Sequence, residues 1–366
     1  MKKSLIALAV LAASGAAMAQ SSVSLFGIID TGIGYIDNAT PANGNKWGVG
    51  TSGNATSRIG FRGVEDLGGG LKAGFWLEGE VFGDDGNAGG LNFKRRSTVG
   101  LEGNFGEVRL GRDQVAGYNK TSSYDLFGQT GIGQFMGWRN WDGAVNAGPA
   151  VTPGGAPQAG NVGDENGIRA NNLVSYYTPN FSGFKAGISY SFDEVQGPSN
   201  AGRYIGGNVS YDNGPFSVAL SYDRLEISQP ARGLGDRDAL TLAGSYNFGV
   251  AKLIGIAQQQ QYSYDAGGAD RKFNNYALGV AAPVGGAGEV KLQYARYDQK
   301  ATSGEADQLS LGYVHNLSKR TAVYGTVAYL KNKDGSSLGL QSKGINTTAA
   351  VNQKQTGVQV GVRHSF

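Results

Sequence analysis

Two histidines, His315 and His364, are all the imidazole this 366-residue chain offers, and it contains no cysteine. Acid–base or nucleophilic chemistry would need one of them beside a nucleophile or an activated water. Two histidines also fall short of a zinc triad. The acidic pairs Asp84-Asp85 and Asp164-Glu165 lack the spaced oxygen ligands of a Ca²⁺ loop and read as solvated charge. The glycine-rich stretches 68–70 and 285–288 lack the Lys-Ser/Thr ending of a phosphate loop, and no helix follows them, so they read as turns. No metal or cofactor is expected. What remains is fixed charge on arginines and carboxylates, whose effect is a local electric field and depends on which way each side chain points.

Pointing is set by the elements. Gly 61, Tyr 18 and Phe 15, with only 9 Pro and 17% charged residues, favour turns and strands over helices. The 32 basic and 29 acidic residues nearly cancel, which excludes the concentrated basic excess of a nucleic-acid binder. Residues 1–19 place Lys2 and Lys3 before a short apolar run and end in Ala17-Met18-Ala19, the form of a cleaved secretory signal. That run is too short to span a membrane. The mature chain is expected to begin at Gln20 and to form one unit over 20–366. Export without cysteine means stability without disulfides.

The mature chain repeats one unit, a stretch of alternating apolar and polar residues followed by a break, which predicts consecutive hairpins. In 71–81, Leu71, Ala73, Phe75, Leu77 and Val81 share one face while Lys72, Trp76, Glu78 and Glu80 share the other. Leu309, Leu311 and Tyr313 alternate with Gln308, Ser310 and Gly312 in the same way, and Val358, Val360 and Val362 repeat the pattern. Connections alternate in length. Short turns fall at 66–70, 104–106, 179–183, 213–214, 248–250, 283–288 and 316–320; long ones fall at 37–55, 83–92, 113–167, 193–203, 225–236, 262–271, 298–306 and 331–353. Short turns on one rim and long loops on the other describe a transmembrane barrel with its apolar face towards lipid. These connections imply about 16 strands, a size that encloses an aqueous channel. The fold class expected is therefore all-β, a 16-stranded antiparallel transmembrane β-barrel. Phe26, Tyr190, Phe192, Tyr222, Tyr246, Phe248, Tyr313, Tyr329 and Phe366, near strand ends, are expected to form interfacial girdles. The third long connection, roughly 55 residues, is long enough to imply a task, and its aromatic-rich stretch 124–141 is expected to fold into the lumen rather than stay disordered.

The chain closes on Phe366 with Val358, Val360, Val362 and His364 sharing its face. Together with Ser57-Arg58-Ile59-Gly60-Phe61-Arg62-Gly63, Val99-Gly100-Leu101, Gly106-Glu107-Val108-Arg109-Leu110-Gly111-Arg112 and Leu317-Ser318-Lys319-Arg320-Thr321, it resembles the general diffusion porins of Gram-negative bacteria, nearest to the group common in beta-proteobacteria. The resemblance spans the mature chain and is weakest in the long loops. It implies an outer-membrane homotrimer embedded in lipid, with short periplasmic turns, long extracellular loops and an inward third loop. It also implies passive diffusion of small hydrophilic solutes and ions, with Phe366 as the membrane-insertion signal. By the same resemblance Arg58, Arg95 and Arg169 match the arginines of a pore constriction facing acidic or carbonyl groups of the third loop. Periodicity turns Arg58 and Arg62 inward with Ile59 and Phe61 outward, and Arg169 and Asn171 inward with Val174 and Tyr176 outward. Counting back from Val99 and Leu101 turns Arg96 inward instead of Arg95, so Arg95 needs a bulge or a break in the pleat. Among Asp125, Asp142, Asp164 and Glu165, Asp125 is the first choice of acidic partner because it adjoins the aromatic-rich stretch. An arginine excess at a constriction favours anions.

Both histidines fall on the rim of short turns, away from the outer surface where barrel catalysis takes place, so no enzyme is expected. The alternatives are a substrate-specific porin, which an aromatic ladder would mark and none is readable, and a plugged barrel adhesin, which conductance would separate.

Overall fold

The computed structural model of the chain describes residues 22–38, 44–86, 92–138, 167–192, 202–229, 234–264, 270–300, 304–345, 347 and 349–366. The expected signal, its cleavage point, Trp141, Asp142, Asp164 and Glu165 lie outside the described residues.

Alternation dictates the architecture. Leu278 and Leu311 are 59% and 50% exposed, whereas Asn275 and Gln308 on the opposite face are 0% and 2% exposed. An apolar outside and a polar inside suit a sheet surrounded by hydrocarbon and closed on itself, since every backbone N–H and C=O must then pair within the sheet.

The strands are β1 (Ser22–Asp37), β2 (Lys46–Thr51), β3 (Arg58–Gly68), β4 (Leu71–Glu80), β5 (Arg96–Gly103), β6 (Gly106–Gln114), β7 (Arg169–Tyr177), β8 (Phe184–Ser191) and β9 (Tyr204–Asn213), followed by β10 (Phe216–Gln229), β11 (Leu234–Asn247), β12 (Lys252–Tyr264), β13 (Arg271–Val284), β14 (Gly288–Gln299), β15 (Glu305–Asn316), β16 (Thr321–Lys333) and β17 (Lys354–Ser365). From β3 onward each pairs antiparallel with its successor. The ring closes where β1 takes β17 on one edge, Ile28 opposite Ser365 through Asp37 opposite Thr356, and β3 on the other, Ser22 opposite Val64 through Ile28 opposite Arg58. Phe366 completes the seam: its N–H donates to the Gly27 carbonyl and its carbonyl accepts from the Gly27 N–H, both at 3.0 Å. Sixteen strands form the closed barrel; β2 is an addition to it.

Three expectations change. The first long connection contains β2, which covers the edge of β1 left open above β3, Thr31 opposite Thr51 through Ile36 opposite Lys46. Gly48 and Gly50 turn their bare faces inward because the last loop presses there. A Cβ on Gly50 would sit 2.5 Å from the Lys343 carbonyl oxygen. The connection expected over 225–236 is mostly strand, because β10 and β11 pair Arg224 with Asp238 and Glu226 with Asp236. These charges looked like a loop but satisfy one another across strands, Arg224 bonding Asp236 and Arg203 bonding Glu226. Finally, Phe26 belongs to no girdle. It alternates with outward Val23, Leu25 and Ile29 and packs inside against Trp76, centroids 4.9 Å apart.

The third loop enters the lumen as expected. Helix α1 (Ala116–Asn119) and two 3-10 turns, Thr121–Tyr124 and Met136–Trp138, carry it along the inner wall. Phe135 stacks on Tyr297 at 5.7 Å, and the Met136 N–H donates to the Tyr297 hydroxyl at 2.9 Å. Gln308 donates to the carbonyls of Ile132 and Gln134, and Lys291 to that of Leu126. Wall side chains thus replace the water that a surface loop would need for its backbone.

Candidate functional site

Arg58 is delivered by a clamp. The first loop turns back at Ser52, whose φ is 64°, and the buried Asp30 carboxylate accepts the N–H groups of Gly53, Asn54 and Ala55 at 3.2, 2.8 and 2.6 Å and the Tyr324 hydroxyl at 2.6 Å. This fixes the entrance to β3, where Arg58 is the first residue. Across β3 and β4, Glu78 draws its neighbours together: Arg58 Nε lies 3.9 Å from Glu78 Oε1, Arg95 Nε 2.6 Å from the same oxygen, and Trp76 Nε1 donates to Oε2 at 3.2 Å.

Arg95 and Arg96 both turn inward. Arg96 is the register partner of Glu78, yet the Arg95 N–H also donates to the Glu78 carbonyl at 3.1 Å, so two residues answer one and the pleat breaks there. The two guanidiniums serve different levels. Arg95 joins Arg58 in one cavity, while Arg96 lies over Trp76, 4.6 Å from its ring centroid, in another. Arg169, the first residue of β7, donates its Nε to the Arg95 carbonyl at 3.0 Å.

Arg58, Arg95 and Arg169 line a cavity of about 500 Å³ together with Lys94, Arg112 and Lys343. Among the described residues these six basic side chains share the lining with one carboxylate, Glu80, which pairs with Lys94 at 3.4 Å and with Lys343, while Glu78 behind the lining holds Arg58 and Arg95. The opposite wall is the third loop, whose described lining residues include the uncharged Ser122, Ser123, Gln129, Thr130 and Gln134. Burial, reinforced by Arg112, Arg95 and Arg169, pushes the Lys94 ammonium below the usual lysine range. Burial brings Lys343 down to about 8.

Two expected members lie elsewhere. Asp125 does not face the arginines: its carboxylate is buried inside the third loop, accepting the N–H groups of Phe127, Gln129 and Phe135 at 3.2, 2.8 and 3.2 Å and the Gln293 amide at 2.9 Å. Burial pushes this carboxyl up from its ordinary range, opposed by those hydrogen bonds. Its aromatic neighbourhood, which drew attention to it in the sequence, is the reason it is enclosed. Arg62 points inward but lines a second cavity that shares no residue with the first. Four residues along a strand displace it by ~13 Å towards the short turns.

Arg112 and Lys343 were not anticipated. Alternation from Leu110 turns Arg112 outward, but the β6–β7 register shifts between Gly111 and Asp113, with Gly111 at φ 125°, and Arg112 is redirected to donate to Asn171 Oδ1 at 2.7 Å. Gly111, set inside the strand directly before Arg112, was the available sign. Lys343 lies in a loop without periodicity, and nothing local marks it.

His315 bonds the Tyr313 hydroxyl at 3.1 Å and His364 the Thr321 hydroxyl at 2.9 Å, both on the short-turn rim. Among the described residues no three His, Cys, Asp or Glu side chains gather as a metal site.

The family model described as Gram-negative porin matches residues 5–335. The chain is 62% identical to outer membrane porin protein 32 of Delftia acidovorans, over the whole of both chains. It is 33% identical to an outer membrane porin of Bordetella pertussis, again over both whole chains. Its structure superimposes with a TM-score of 0.85 on an anion-selective porin from Comamonas acidovorans, at 59% identity, covering 95% of this chain and 100% of that one. With a lipid-facing barrel narrowed from within by its third loop, the chain belongs to the Gram-negative porins, outer-membrane channels that pass small hydrophilic solutes by passive diffusion.

Proposed function

We propose that this channel prefers anions and that Arg58, Arg95 and Arg169 form its constriction, with Lys94, Arg112 and Lys343 completing the basic wall. The observation that carries this reading is the charge around the cavity: among the described residues six lining cations meet Glu80 in the lining and Glu78 behind it, and the third-loop side chains described in the lining are uncharged. A monovalent anion about 5 Å from one such cation gains roughly 1–3 kcal/mol between the aqueous and the protein-surface dielectric, and a cation loses as much. Summed over the wall and reduced by salt screening, that bias suffices for selectivity. The similar porin from Comamonas acidovorans, described as anion-selective, supports the same direction. Asp125 contributes by holding the loop in place rather than by facing the arginines.

The resemblance further suggests a homotrimer with one pore per subunit, export through a removed 1–19 signal, and Phe366 as the insertion signal. It also suggests a channel without a catalytic step, in keeping with two rim histidines bonded to hydroxyls. Planar-bilayer recording of the refolded protein tests the proposal. Conductance steps in threes and a reversal potential of anionic sign under a KCl gradient support it, and a cationic sign rejects it.

A further inference from the structure

Across the outer face of β14–β17, side chains in register mark where hydrocarbon ends. Leu292, Leu311, Val327 and Val358 form one apolar row. The next row towards the long loops is Tyr294, Leu309, Tyr329 and Thr356, and the one after it is Arg296, Asp307, Lys331 and Lys354. Apolar, tyrosine and charge succeed one another in the order of a membrane border. With the long loops extracellular, the charged row lies at the headgroups of the outer leaflet.

The acids near this row are already engaged. Asp307 accepts from Lys333 and from the Tyr294 hydroxyl, both at 2.6 Å, and Glu305 pairs with Arg296 at 2.6 Å. Asp37 of β1 lies a row lower, opposite Thr356. Lys331 and Lys354 are exposed and stand directly opposite each other, with no hydrogen bond or ion pair among the described residues. Like charges in that position repel, and beside hydrocarbon their repulsion is screened less than in open water. The Tyr329 hydroxyl, beneath Lys331 on the same face, also has no partner among the described residues.

We propose that Lys331 and Lys354 bind the phosphate headgroup of an outer-leaflet lipid whose acyl chain lies along Val327 and Val358. One phosphate accepts from both ammonium groups and turns their repulsion into a shared attraction. The Tyr329 hydroxyl supplies a neutral donor where headgroup gives way to hydrocarbon. A soluble anion would match the lysines alone; the apolar row aligned beneath them calls for an anion that carries its own hydrocarbon. This surface faces away from the lumen, so the inference stands apart from ion preference.

The test is native mass spectrometry of the refolded protein in detergent, titrated with bis-phosphorylated lipid A, for wild type, Lys331→Gln, Lys354→Gln and the double variant. Conductance steps equal to those of wild type mark each variant as a folded barrel. The dissociation constant is expected to rise about fivefold with each single change and roughly twentyfold with both, and to stay near wild type in Lys331→Arg and Lys354→Arg. Equal affinity in all variants overturns the proposal, as does an equal loss in Lys319→Gln on the short-turn rim, which would reduce the effect to overall charge. Should a Gln variant fail to fold, wild type alone still decides: equal binding of lipid A and its dephosphorylated form overturns the phosphate contact. Displacement by inorganic phosphate at the concentration of the lipid itself would overturn the assignment to a lipid. Loss of trimers in the double variant with lipid binding unchanged would give this face to a second copy of the chain instead.

Discussion

Arg95 is bonded to Glu78 twice, through its backbone N–H to the Glu78 carbonyl at 3.1 Å and through its Nε to Glu78 Oε1 at 2.6 Å. The backbone bond creates the break in the pleat that turns Arg95 inward, and the side-chain bond fixes where its charge lies. One carboxylate therefore holds two like-charged arginines, Arg58 and Arg95, beside an open cavity that would otherwise let them splay apart.

Glu78→Gln keeps the shape and removes the charge. The expected outcome is a stronger anion preference, because the counter-charge is gone, together with a loss of about 1–3 kcal/mol of barrel stability from the weakened bonds to Arg95 and Arg58. Reversal potential and thermal unfolding in detergent read the two effects separately.

Arg112→Ala tests the residue that alternation would have discarded. If the bulge at Gly111 turns Arg112 into the conducting wall, the chloride-to-potassium permeability ratio falls by about two- to fivefold, comparable to loss of any other wall cation. A ratio equal to wild type would return Arg112 to a structural role with Asn171.

Much of the architecture was legible because it follows from local alternation: Leu309, Leu311 and Tyr313 face lipid by the same count that turns Gln308 and Ser310 inward. The inward course of the third loop was legible from its length and aromatics. What the sequence concealed were departures from alternation and long-range partners. The bulge that redirects Arg112 is a property of the β6–β7 pairing, not of either strand alone. The charges between Arg224 and Asp238 resemble loop composition until their cross-strand partners are known. Asp125 carries charge in a loop facing arginines, yet its oxygens are claimed by N–H groups within ten residues and by Gln293, 168 residues away. Lys343 reaches Glu80 across 263 residues of sequence, beyond any local pattern.

Lys343 also gives the channel a pH dependence. A lysine pushed down to about 8 is charged at about pH 7 and largely neutral at about pH 9, whereas arginine stays charged throughout. Lys94 is displaced in the same direction. Anion preference should therefore weaken, by roughly twofold, as pH rises across that window. Lys343→Met should remove most of the change, and the reversal potential measured at both pH values checks it.

Asp125→Ala tests the loop. It removes the acceptor of three backbone N–H groups and of the Gln293 amide, each left unmet at a cost of about 1–3 kcal/mol if buried. The loop should detach from the wall, giving larger and noisier conductance with a weaker size cutoff for neutral sugars in liposome swelling. Unaltered swelling rates would show that the aromatic packing around Phe135 and Tyr297 holds the loop without Asp125.

The central claim is that the basic wall beside the third loop sets ion preference. Its most direct test is the reversal potential under a KCl gradient for wild type and Arg58→Ala in the same bilayer. The account predicts an anionic sign in wild type and, in the variant, a chloride-to-potassium ratio lowered by about two- to fivefold with conductance steps still in threes. A ratio unchanged by Arg58→Ala would contradict it and place the selectivity of this porin elsewhere in the lumen.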